Sequence, residues 1–316
     1  MLITFDDDTN AVIEIDKCNR IISYVNENIT RIDDNFLFSN KYLCNIVIPN
    51  VLEVGSNFLS RNVALTNIEL LKVLRIGDNF LRDNKRITSI NVPSLMSVGD
   101  DFLISNEGIE KLDMPNLEYV GDSFLEYNRK LKEINALKLR SVSSKFLYFN
   151  LGLKNINFPC LEYCEDHFIT ANNDIKSINL PNLLRVGDNF LWRNKNLRIL
   201  DMPKLADVGR NFLYANSIID SVNLPMLWMV GNSFLYGNDS LEYLNLPLVS
   251  YVESNFMFNN NKLTSLFMPY LREVGNDFLR SNIVLKEFDL SSLKDYGRDF
   301  LCVNAKARKR ILEKMI

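Results

Sequence analysis

The chain is poor in the residues that carry chemistry. Its 316 residues include one histidine, His167, and two tryptophans. A single imidazole limits acid–base catalysis near neutral pH. No nucleophile stands beside a base, and no phosphate-cradling glycine loop is present, since Gly187-Asp188-Asn189 resembles neither motif. The five cysteines, Cys18, Cys44, Cys160, Cys164 and Cys302, are an odd set at unrelated repeat positions. That does not look like a disulfide framework and fits a chain that stays reduced. Cys160, Cys164 and His167 lie close together, but Cys-x3-Cys-x2-His lacks the fourth ligand that structural zinc wants. Cys164 also falls in an inward column, where a thiol acts as a small hydrophobe. Neither a metal, a cofactor nor a catalytic residue is expected.

Long apolar runs are missing as well. Hydrophobic residues make up 47% of the chain but recur at regular spacing, and no run reaches the length of a membrane span. The net charge of −3 gives no global pull toward nucleic acid or acidic membrane. Met1–Asp8 lacks a basic start followed by an apolar stretch, so it does not read as a secretory signal. The expected location is cytoplasmic, with delivery to a host or surface by a non-Sec route left open.

What the chain has is a repeat. Phenylalanine recurs every 22 residues from Phe36 to Phe300, thirteen times, and an asparagine follows each by four residues, from Asn40 to Asn304. A fixed period of this length marks a stacked-repeat solenoid, in which each repeat packs on its neighbours. Within one copy, Leu200 and Met202 flank Asp201, the alternation of a short strand with one buried face. All nine prolines, Pro203 among them, stand directly after that strand and end it. A Val-Gly pair follows, with glycine at nine of thirteen positions, as a tight turn or close backbone approach requires. Asp188 and its equivalents are helix N-cap types, so a single helical turn carrying Phe190 and Leu191 is predicted there. The asparagine column is expected to satisfy backbone groups at an irregular corner, forming a ladder from repeat to repeat.

These residues resemble a leucine-rich repeat, and most closely the BspA-like type. Leu197-x-x-Leu200-x-Met202-Pro203 matches that family's strand, and Val208-Gly209 its turn. Phe212-Leu213 stands where the family has Ala-Phe, and Asn216 where it has Cys. The period is one residue shorter than usual. The 22-residue FNIP repeats share the period and a proline column but match less well. The resemblance covers roughly residues 21–304. It implies an α/β-type solenoid: a right-handed superhelix of about 13 repeats with a parallel β-sheet face and short helical turns. It also implies protein or surface binding without catalysis. Residues 1–20 break the period and read as a hairpin cap around Asp6–Asn10, and residues 305–316 as a C-terminal cap helix.

With the scaffold columns assigned, a partner is expected on the variable ones. Two residues after the phenylalanine, Trp192, Tyr214, Tyr236 and Phe258 occupy consecutive repeats and would stack as a stripe. The same column holds Ser60, Arg82, Glu126 and Arg280, so it reads as exposed. On the sheet face, mostly Asn and Asp, the exceptions are Ile199, Tyr243 and Phe267. Trp228, with Met226, Met229, Leu248, Tyr251 and Tyr270, adds apolar surface after the proline. Aromatic residues and methionine are what interface centres use. The expected function is a protein-binding scaffold with its main contact surface in the C-terminal half. Two alternatives stay open: a surface-adhesion or structural role that binds glycan or self-associates, and a secreted effector acting on host proteins.

Overall fold

The structure, a computed structural model, describes residues 1–4 and 11–315. The chain divides into two compact units, Met1–Leu153 and Lys154–Ile316, built from the same coil. A coil of the second unit shows the plan. The strand Ile199–Asp201 exposes its two outer residues and buries Leu200. Pro203 then occupies the second position of a turn closed by Leu205 N–H donating to the Met202 carbonyl at 3.3 Å, which suits its fixed φ. The strand Asp207–Val208 follows. Each strand pairs in parallel with its equivalent 22 residues on: Leu200 opposite Val222, and Val208 opposite Val230. The first unit repeats this, with Leu112 opposite Ile134 and Val98 opposite Val120. Twelve three-residue strands run at this spacing from Asn45–Val47 to Glu287–Asp289, five in the first unit and seven in the second. The thirteenth copy, at Phe36, is preceded instead by the five-residue strand Ile21–Val25.

The predicted helical turns do not form. In the segment carrying Phe190, left-handed φ values alternate: 60° at Asn189, 54° at Leu191 and 57° at Arg193. A left-handed conformation costs a non-glycine residue about 1–2 kcal/mol. The stack offsets this because the three N–H groups bond to neighbouring coils in alternating directions. Asn189 donates to the following Arg210 carbonyl (2.8 Å), Leu191 to the preceding Phe168 carbonyl (3.1 Å), and Arg193 to the following Tyr214 carbonyl (2.9 Å). The aspartates are not N-caps either. Asp188 Oδ1 accepts the Arg210 N–H of the next coil at 2.7 Å, and Asp166 Oδ1 accepts that of Asp188 at 2.7 Å.

The glycine column answers to close approach. Gly209 has no left-handed φ, but a Cβ there would lie 2.6 Å from the Gly187 carbonyl carbon and 2.7 Å from the Asp188 nitrogen, both backbone. Gly237 is the opposite case, with φ of +69° and only Ala215 Cα nearby, at 3.8 Å. Its equivalents Arg193, Ala215 and Asn259 take the same φ without being glycine. Gly209→Ala is therefore expected to cost about 1–3 kcal/mol by overpacking. Gly237→Ala should cost about 1 kcal/mol, the left-handed penalty of about 1–2 kcal/mol being partly offset by alanine's lower unfolded-state entropy. Urea unfolding midpoints compare the two, and equal losses would refute the close-approach account.

The core is a column of rings. In the first unit Phe80, Phe102 and Phe124 stack at 5.4 Å. In the second, successive rings from Phe168 to Phe300 lie 5.2–5.6 Å apart and nearly parallel. A tyrosine meets the last ring at each end: Tyr24 is 5.0 Å from Phe36, and Tyr296 is 5.0 Å from Phe300. The buried asparagines form the expected ladder. Asn194 Nδ2 donates to the Ile169 carbonyl (2.9 Å), and its backbone N–H donates to Asn216 Oδ1 (2.8 Å).

At the N-terminus, Leu2–Thr4 and Val12–Ile15 pair antiparallel, and Ile21–Val25 continues the meander before pairing in parallel with Asn45–Val47. The turn expected at Asp6–Asn10 lies outside the described residues. At the C-terminus, helix α1 spans Ala305–Met315, the one helix among the described residues. Asn304, last of the ladder, caps it by accepting the Ala307 N–H at 3.0 Å. Ala307 and Ile311 are buried, and the Arg310 guanidinium lies 5.0 Å from the Phe288 ring. Among the described residues no helix is long and apolar enough to cross a membrane.

Candidate functional site

The residues singled out in the sequence fall on two separate segments of the coil, both in the second unit. The first group surrounds the proline corner. Met226, Leu248 and Tyr270 occupy one column on three successive coils, and all three are exposed, Tyr270 by 61%. Trp228 (50% exposed), Met229 and Tyr251 continue the apolar surface two to three residues further along the first two of these coils, and Arg272 and Glu273 take their place on the third. On the strand just before this corner, Ile199 and Tyr243 are exposed and Phe267 is half-buried. The Tyr243 and Phe267 rings lie 5.7 Å apart, tilted by 43°. The first unit carries a smaller aliphatic row at the same corner, the exposed Leu52, Leu74 and Met96. Sequence reading missed it, although their 22-residue spacing was the available signal.

The second group is the stripe. Trp192 sits 6.3 Å from Tyr214, Tyr214 4.5 Å from Tyr236, and Tyr236 5.0 Å from Phe258, the last two pairs stacked. Arg193 closes one end, 4.3 Å from the Trp192 ring, and Arg280 the other, 5.4 Å from Phe258. The expectation of an exposed column is corrected. All four rings are half-buried, Ser60 and Glu126 in the same column are buried, and the ring faces are taken up by one another. Burial, and then the neighbouring Tyr236, push the Tyr214 phenol above its ordinary range. The two arginines of the column are half-buried and ion-paired, Arg82 to Asp101 at 2.6 Å and Arg280 to Asp277 at 2.7 Å.

Cys164 is buried, and burial followed by the charge of Asp166 pushes its thiol well up, away from the reactive thiolate. Cys160 is exposed. His167 takes the place that Asn189 fills on the next coil, and the two side chains meet at 3.4 Å. Among the described residues, no group of three or more His, Cys, Asp or Glu is placed to hold a metal ion.

The sequence profile of the BspA type leucine-rich repeat region matches residues 16–132, 54–170, 97–220 and 210–303, overlapping stretches that run through most of the chain. The chain belongs to the BspA-type leucine-rich repeat family. Among solved structures, a leucine-rich repeat protein from Bacteroides ovatus shares the fold of this BspA-type chain. Its TM-score is 0.68 at 17% identity, over 96% of this chain and 93% of that one. A leucine-rich repeat protein from Eubacterium ventriosum is similar at a TM-score of 0.41 and 14% identity, over 93% and 86%. A leucine-rich cell surface protein from Faecalibacterium prausnitzii gives 0.38 and 12%, over 91% and 94%. No curated protein sequence matches significantly. Where the BspA pattern has cysteine, this member has the laddered asparagine.

Proposed function

We propose that this BspA-type repeat protein is a non-catalytic interaction scaffold, and that a protein partner docks on the proline corner of its second unit. The observation that supports this is the exposed column Met226, Leu248 and Tyr270, flanked by Trp228, Met229 and Tyr251. Contiguous exposed apolar surface marks an interaction site more often than scattered apolar residues do. Trp and Tyr supply the anchors that dominate interface energies, and methionine adapts to a partner's shape. Ile199, Tyr243 and Phe267 stand on the strands that lead into such corners. The stripe from Trp192 to Phe258 offers less, because its ring faces are already occupied.

Partners captured by the intact chain, purified and titrated against variants, test the assignment. Trp228→Ala with Tyr270→Ala is expected to weaken binding at least tenfold, roughly 1.4 kcal/mol or more. The melting temperature should stay unchanged, since both side chains are exposed. Trp192→Ala with Tyr214→Ala should lower the melting temperature and leave affinity intact. The assignment fails if the corner variant binds as tightly as the parent.

A further inference from the structure

The sheet face beside the corner carries a second surface of different chemistry. Asn157, Asn179, Asp201, Asn223 and Asn245 occupy one outward column on five successive coils of the second unit, and all five are exposed. Asparagine is disfavoured in strands, so strand propensity does not account for the column. Its members hold one another: Asn179 Nδ2 donates to Asn157 Oδ1 at 2.7 Å, and Asn223 Nδ2 to Asp201 Oδ1 at 2.8 Å. Each such amide spends one N–H in the row and keeps another, along with oxygen lone pairs, for a ligand. No Lys, Arg or Glu stands at any outward position of the strands from Asn155–Asn157 to Tyr243–Asn245. The first unit continues the column at Asn91, Asp113 and Asn135, with Asn135 Nδ2 donating to Asp113 Oδ1 at 2.7 Å, but its neighbouring outward column carries charge, Lys111 and Glu133 forming an ion pair at 3.0 Å. Tyr243, 54% exposed, and Phe267 stand at one end of the amide row.

We infer that this row binds a neutral, extended polysaccharide. Sugar hydroxyls both donate and accept, as does a row of partly satisfied amides. Parallel strands repeat at about 4.8 Å, close to the length of one hexose in an extended glycan, so successive sugars meet equivalent groups. The Tyr243 ring gives the flat C–H face of a sugar an apolar platform. A polyanion would meet Asp201 in the row, while the exposed Lys154, Lys176 and Arg198 stand just before the strands and Arg198 is paired with Asp220 at 3.0 Å. A polypeptide strand cannot add by backbone pairing, because a sheet face offers side chains and no free ladder groups.

The test is calorimetric titration of the intact chain with linear neutral hexasaccharides: β-1,4-glucan, β-1,4-mannan and β-1,3-glucan. At least one is expected to bind with a Kd of about 1 mM or tighter. Asn179→Leu with Asn223→Leu, and separately Tyr243→Ala, should each weaken binding at least tenfold. Trp228→Ala with Tyr270→Ala should leave it unchanged, which separates this site from the protein-docking corner. Absence of binding to all three probes would overturn the inference. So would binding indifferent to both the amide and the Tyr243 variants, or a preference for heparin.

Discussion

Phe212→Ala is expected to destabilise the second unit by about 3–5 kcal/mol. Phe212 is fully buried, with its ring centroid 5.3 Å from Phe190 and 5.4 Å from Phe234 at interplanar angles of 4° and 7°. The substitution removes a large apolar area and two ring contacts, which add about 0.5–1.5 kcal/mol each beyond area burial. The void cannot close easily. The backbone beside each ring is pinned to the neighbouring coil, Leu213 N–H bonding to the Phe190 carbonyl and Leu235 N–H to the Phe212 carbonyl. Because each coil packs only on its neighbours, the loss should be local. Urea unfolding measures its size, and hydrogen exchange should show it largest at the Leu191, Leu213 and Leu235 amides. A loss below about 1 kcal/mol would mean that the ring column is not the core described here.

The second large effect belongs to the asparagine ladder. Asn216 is fully buried. Its Nδ2 donates to the Leu191 carbonyl at 3.0 Å, and its Oδ1 accepts the Asn194 N–H at 2.8 Å. Leucine has a similar volume but pairs with neither. Asn216→Leu leaves two buried backbone groups unsatisfied, at about 1–3 kcal/mol each, so a loss of about 2–5 kcal/mol is expected. Asn216→Asp separates hydrogen bonding from shape. A carboxylate still accepts from Asn194 but cannot donate to the Leu191 carbonyl, and its charge would be desolvated. Both effects favour the protonated acid, so the folded-state pKa is raised above the unfolded one. Stability of the Asp variant should then be greatest below the unfolded carboxyl pKa and be lost as pH rises through the folded pKa. Thermal melts at pH 4 and pH 7 check this. A variant as stable at pH 7 as at pH 4 would show that the ladder position is not buried.

The repeat was legible because it is periodic. Phe212, Asn216 and Pro203 each recur 22 residues away, Leu200 is matched there by Ile178 and Val222, and one period read from any of them locates strands, corners and core together. The strand at Ile199–Asp201 showed through its alternation. The left-handed leucines did not show. Leucine has no preference for that conformation, so Leu191 at φ 54° leaves no mark in composition or pattern. Only bonds between coils reward it, and those exist after stacking. Asp188 misled for a related reason. Its side chain is an N-cap type, yet the amide it accepts from, Arg210 N–H, is 22 residues away. For the site, identity was legible and accessibility was not. Trp192, Tyr214, Tyr236 and Phe258 and the Met226–Tyr270 column look alike as apolar residues on variable positions. The first group closes on itself and the second faces solvent.

By itself, the sequence determined the period, the strand positions, the buried phenylalanine and asparagine columns and family membership, because each depends on residues repeated at a constant interval. The tertiary structure decided the left-handed turn segment, the partner of every ladder bond and which aromatic surface remains open. Those depend on the neighbouring coil, whose approach sets which backbone groups pair and which ring faces are covered.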